Sequence, residues 1–226
     1  MGINVNVTYN KEMIAAAAQA ERAKMTEGFF PAIVTAAEVA TSKEKTDEQG
    51  NTKGNNLMVV AELHVLKDPD DPTTTTGPRL RTWMVCPFSN PDVPGHEPHP
   101  ATGRMMARSL NAFFPEDIKA MPEMRKGKIV FDGEEISEAE KEKADNEILE
   151  AVFEKAKELL QDPSSLLRRQ CIIKVGYDKT NPDFPTIKGL FAELPDGASL
   201  VAPENYTTKP APKSIATKAK GKAKRG

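Results

Sequence analysis

Leu57, Val59, Ala61, Leu63 and Val65 alternate with Met58, Glu62 and His64, and such a run has one regular solution: a strand over Leu57–Lys67 with one apolar face. The same period recurs. Gly28–Thr41 is β-branched and alternating, with Ile33 and Val39 as expected core contributors. In Arg168–Tyr177, Cys171, Ile173 and Val175 alternate with Ile172 and Lys174, and Phe184–Glu193 reads as a last strand after a turn at Asp178–Asp183. Phe30, Phe113 and Phe191 are assigned to the core.

Between these strands the chain punctuates itself. Ser42–Asn56 is a long polar loop, Asp68–Pro78 reads as a turn region with two Asp-Pro steps, and Pro87–Pro100 carries five prolines, which exclude regular structure. A helix is predicted from about Gly103 to Phe114, capped by Thr102, and a short strand at Lys128–Phe131. Ser137-Glu138-Ala139-Glu140 is a capping-box pattern opening an acidic amphipathic helix that ends before Pro163. An Ala-, Glu- and Lys-rich helix is expected over residues 11–25. The domain limits that follow are a helical extension at 1–26, one domain at 27–203 with a helical insertion at about 132–163, and a flexible basic tail at 204–226 too poor in apolar residues to fold.

The formal net charge of −2 conceals segregation. Residues 209–226 hold seven Lys or Arg and no acid, whereas Asp132–Asp162 holds 12 acids against four Lys, which leaves the rest of the body near −1. An acidic pI therefore does not exclude a polyanion partner. Two cysteines, Cys86 and Cys171, make no disulfide framework and point to a reducing cytoplasm. No apolar run is long enough to span a bilayer, and the opening residues carry no basic-then-apolar signal pattern, so no membrane association or secretion is expected.

Arg79-Leu80-Arg81-Thr82-Trp83-Met84-Val85-Cys86 joins strand periodicity to chemistry. On a strand, Arg79, Arg81 and Trp83 share one face while Leu80, Met84 and Cys86 share the other. Two guanidiniums followed by the chain's only Trp suit phosphate pairing with base stacking. The competing account is an ordinary half-exposed strand, and a shift of one residue in register would bury Trp83.

Three strands, a helix, an insertion and two strands is the element order of an oligonucleotide/oligosaccharide-binding (OB) barrel. Glu27-Gly28-Phe29-Phe30-Pro31-Ala32-Ile33-Val34, Gly54-Asn55-Asn56-Leu57, Val59–Val65, Arg81-Thr82-Trp83, Met105–Phe114, Cys171–Tyr177 and Thr186-Ile187-Lys188-Gly189-Leu190 together resemble the phage and prophage family of small OB-fold single-stranded-DNA-binding proteins. The resemblance covers roughly residues 27–120 and 167–193. It implies a mainly β fold with α insertions around a five-stranded barrel, and a face on which Lys174, Tyr177, Phe184 and Lys188, with Lys43, Lys45 and Lys53 of the first loop, flank Arg79, Arg81 and Trp83. The larger acidic insertion, the longer Pro87–Pro100 loop and the basic tail depart from the family. An acidic partner-recruiting tip is therefore not carried over.

His96-Glu97-Pro98-His99 near Cys86 offers metal-binding residue types without a zinc spacing, and no P-loop, nucleotide-binding glycine fingerprint or nucleophile elbow occurs, so neither a metal, a cofactor nor an enzyme is expected. The expected role is sequence-nonspecific protection of single-stranded DNA in phage replication or recombination, in the host cytoplasm, with phage replication or recombination proteins as further partners and the oligomeric state open. The alternative is a phage protein-interaction or virion structural component built on a similar barrel without DNA binding.

Overall fold

Val59, Ala61, Leu63 and Val65 are buried while Glu62 and His64 reach the surface, as the period of two requires. The structure, a computed structural model, describes residues 24–46 and 52–208. It is a mixed α+β fold dominated by five long strands: β1 (Gly28–Thr41), β2 (Leu57–Asp68), β3 (Asp71–Val85), β4 (Gln170–Asp178) and β5 (Asn181–Phe191). All neighbours are antiparallel, in the order β5-β4-β1-β2-β3. Helix α1 (Thr102–Phe113) follows β3 and packs on β3, β4 and β5, and α2 (Glu138–Gln161) lies on α1 as an outer layer.

The expected closed barrel is not formed. The edge strands β3 and β5 come within 8 Å, Cα to Cα, but no hydrogen-bonded ladder joins them. The sheet's inner face and the buried face of α1 (Met106, Leu110, Phe113) make one apolar core with Phe30, Leu80, Met84, Ile173 and Val175. The capping box at Ser137 and Glu140 forms, and α2 buries Ile148, Val152, Ala156 and Leu159. A three-stranded sheet (Glu123–Arg125, Lys128–Phe131, Glu134–Ile136) precedes it, so the insertion begins ahead of residue 132 and is not wholly helical.

Other expectations are revised by non-local packing. Asp68–Pro78 is mostly strand: the hairpin turns at Pro69-Asp70, the Asp71 carboxylate accepts from Thr73 and Thr74 hydroxyls at 2.6 Å, and the threonine run continues β3. Val39 faces the same side as its buried partner Val59 yet is 41% exposed, because β4 pairs with β1 only as far as Ile33 and stops well short of it. Ile33 is buried as expected, whereas Phe191 is half-buried, its ring 5.7 Å from that of Phe29. Helix α1 begins with Ala101 as its N-cap residue, since the Thr102 hydroxyl donates to the His99 carbonyl instead.

Both ends of the fold reach beyond 27–203. Lys24–Met25, expected at the end of a helix, is a strand paired with Thr207–Thr208. Tyr206, expected in the tail, is buried. Its ring meets Phe30 edge-on at 5.1 Å and its hydroxyl donates to the Leu66 carbonyl at 3.1 Å. The rest of the expected N-terminal helix and the tail from Lys209 lie outside the described residues.

Candidate nucleic-acid interface

Alternation along β3 buries Leu80, Met84 and Cys86 and turns Arg79, Arg81 and Trp83 outward. The indole is 58% exposed, and α2 stands on α1 rather than over this face. Behind Arg81 in the ladder lies Glu62, and behind Trp83 lies Val60, followed on β1 by Ala36 and Glu38. Cations and indole therefore line the β3 edge, while two carboxylates sit further back on β2 and β1. Glu62 Oε1 is 3.6 Å from Arg79 Nη1, its Oε2 is 3.5 Å from Arg81 Nη2, and His64 Nε2 is 3.9 Å away. These separations exceed those of charge-assisted hydrogen bonds, so the guanidinium forks keep free donors.

The β1–β2 loop rises at the Trp83 end of this face, since Ala40 pairs with Met58 and Val60 with Trp83. Lys43 is exposed on it, whereas the side chains of Lys45 and Lys53, whose backbones pair, lie outside the described residues. The loop is clasped by the Pro87–Pro100 segment. Buried Asn90 donates from Nδ2 to the Asn55 carbonyl at 2.8 Å, and its backbone N–H donates to His96 Nδ1 at 3.0 Å. With Nδ1 accepting, Nε2 carries the proton and donates to Asn56 Oδ1 at 3.3 Å. His96 is thus a structural peg, and no group of three or more His, Cys, Asp or Glu among the described residues is placed to hold a metal. Asn90→Ala leaves the Asn55 carbonyl without this partner and is expected to lower stability by about 1–3 kcal/mol, read from the denaturant midpoint.

The other candidates form a second group. Lys174, Tyr177, Phe184 and Lys188 sit on β4 and β5, three and four strands from β3 along the ladder although β5 also nears β3 at the seam, and the ladder puts Lys174 roughly 20 Å along the strands from Arg81. Lys174 is exposed, with its ammonium 5.4 Å from the centre of the Phe29 ring. Lys188 is ion-paired with Asp178. Tyr177 is half-buried and committed, its hydroxyl donating to the Met25 carbonyl at 2.7 Å with Lys24 over its ring, and burial pushes that hydroxyl above the ordinary phenol range. Phe184 is exposed. Arg79, Arg81 and Trp83 are therefore brought together, with Lys43 on the loop at the Trp83 end, while Lys174 stands away from them along the strands. Glu62 belongs to the surface as well: alternation along β2 sets it outward, and only the pairing with β3 puts it beside Arg81.

Cys86 and Cys171 are both free and buried. Burial pushes the Cys86 thiol up to about 11, against a smaller lowering by a hydrogen bond from the Val59 backbone, and pushes Cys171 higher still. Both are expected to resist a disulfide reagent at pH 8 until the chain unfolds. Because the folded-state value of Cys86 is raised, its contribution to stability is complete below the ordinary thiol range and is lost as pH climbs toward about 11.

No helix among the described residues is long and apolar enough to cross a membrane. Comparison with family models, curated proteins and solved structures finds no match for the chain.

Proposed function

We propose that this protein binds single-stranded nucleic acid, DNA in the first instance, along the outer edge of β3. The observation that carries the reading is the exposed row Arg79, Arg81 and Trp83, open to solvent and stiffened at one end by the clasped β1–β2 loop. A strand lying along this edge meets two guanidiniums for its phosphates and an indole on which a base stacks, a combination that tolerates any sequence. The carboxylates behind the row favour a path along β3 toward Lys43 over a path across the sheet.

The strand order, with a helix between the third and fourth strands packed where β3 and β5 approach, supports reading the sheet as an OB-type barrel with an unlaced seam. On this reading the protein is a phage-type single-strand binder acting without chemistry of its own. The sole Trp reports the interaction directly. Titration with oligo-dT at two salt concentrations is expected to quench its fluorescence with an affinity that falls as salt rises. No quenching, together with no retention of the oligonucleotide in a gel shift, overturns the reading and favours a protein-interaction role.

A further inference from the structure

We infer that Glu62 is a built-in counter-anion for the two arginines, which sets how tightly and how reversibly this surface holds a phosphodiester strand. The inference rests on the binding reading above.

Three features carry it. First, the layers differ in depth. The Glu62 side chain is 14% exposed whereas those of Arg79 and Arg81 are 73% and 55% exposed, so the carboxylate forms the floor and the guanidiniums the rim. Second, one carboxylate serves both cations, one oxygen toward each, at 3.6 and 3.5 Å. That spacing holds the two guanidiniums side by side without consuming their hydrogen-bonding forks. Third, the local charge is that of two cations less one anion, a single positive unit that matches a single phosphate.

A phosphate arriving from solvent meets the rim first and shares the guanidiniums with Glu62 from the opposite side. The fixed carboxylate repels it while keeping both donors aimed outward. The surface is thereby tuned toward release. Glu38 on β1 adds a more distant charge of the same sign, behind Val60 rather than behind the arginines.

The test compares oligo-dT binding by the full chain, Glu62→Gln and Glu62→Ala. Both variants are expected to bind about tenfold tighter at low salt, mainly through slower dissociation, with the gain fading as salt screens the removed repulsion. A merely structural role would instead weaken binding and lower the unfolding midpoint. Glu62→Ala keeps the test decisive if the amide of the Gln variant disturbs folding, because it leaves no polar group on the floor. Variants that fold like the parent and bind no tighter overturn the role of Glu62 while the binding reading stands. A parent chain that does not bind at all overturns both.

Discussion

Trp83→Ala is expected to weaken oligo-dT binding by about 1–3 kcal/mol, roughly 5- to 150-fold in Kd, with little change in stability. The asymmetry follows from where the indole sits. It is 58% exposed on the outer face of β3, while the residues that hold β3 in place, Leu80 and Met84, are buried on the other. Removing the ring takes away a stacking platform and leaves the core intact. Because the variant loses its only Trp, its affinity is read from a labelled oligonucleotide by anisotropy. Trp83→Phe retains an aromatic face and is expected to recover much of the loss, which separates stacking from a general disturbance of the edge. An alanine variant that binds as tightly as the parent removes the strand from this edge.

Ending the chain after Pro203 is expected to destabilise the fold by about 3–5 kcal/mol relative to one ending after Thr208, the range for losing a large buried ring. The shorter chain lacks Tyr206, whose ring packs on Phe30 and whose hydroxyl meets the Leu66 carbonyl. It also lacks Thr207–Thr208, the strand that pairs with Lys24–Met25. Thr26 is tied to the same segment, its backbone N–H donating to the Tyr206 carbonyl at 3.0 Å. Tyr206→Ala in the full chain isolates the ring and is expected to account for most of the loss in denaturant midpoint. Equal midpoints for the two lengths would mean that the closing segment contributes nothing to the fold.

The strands were legible where a strand buries one face, because alternation is a local property of the chain. It identified β2, and it gave the outward row on β3 with Leu80, Met84 and Cys86 beneath it. The capping box was equally local and marked the start of α2. Two expectations failed where the deciding partner is remote in sequence. Val39 has the spacing of a core residue, but its exposure depends on where β4 stops pairing with β1. Tyr206 sits in a Pro- and Thr-rich stretch that reads as tail, and only its contacts with Phe30 and Leu66 make it core.

The candidate surface divides the same way. Residue order alone determined that Arg79, Arg81 and Trp83 share a face, since side chains two apart on a strand point the same way whatever surrounds them. Tertiary structure decided that the face is open, that Lys174 stands on a different part of the sheet, and that Glu62 lies between the two arginines. These depend on strand order, on register and on the placing of α2, which bring together residues far apart along the chain. Periodicity carries no record of such pairings, so the charge balance of the surface, one carboxylate beneath two guanidiniums, exists only once the sheet has formed.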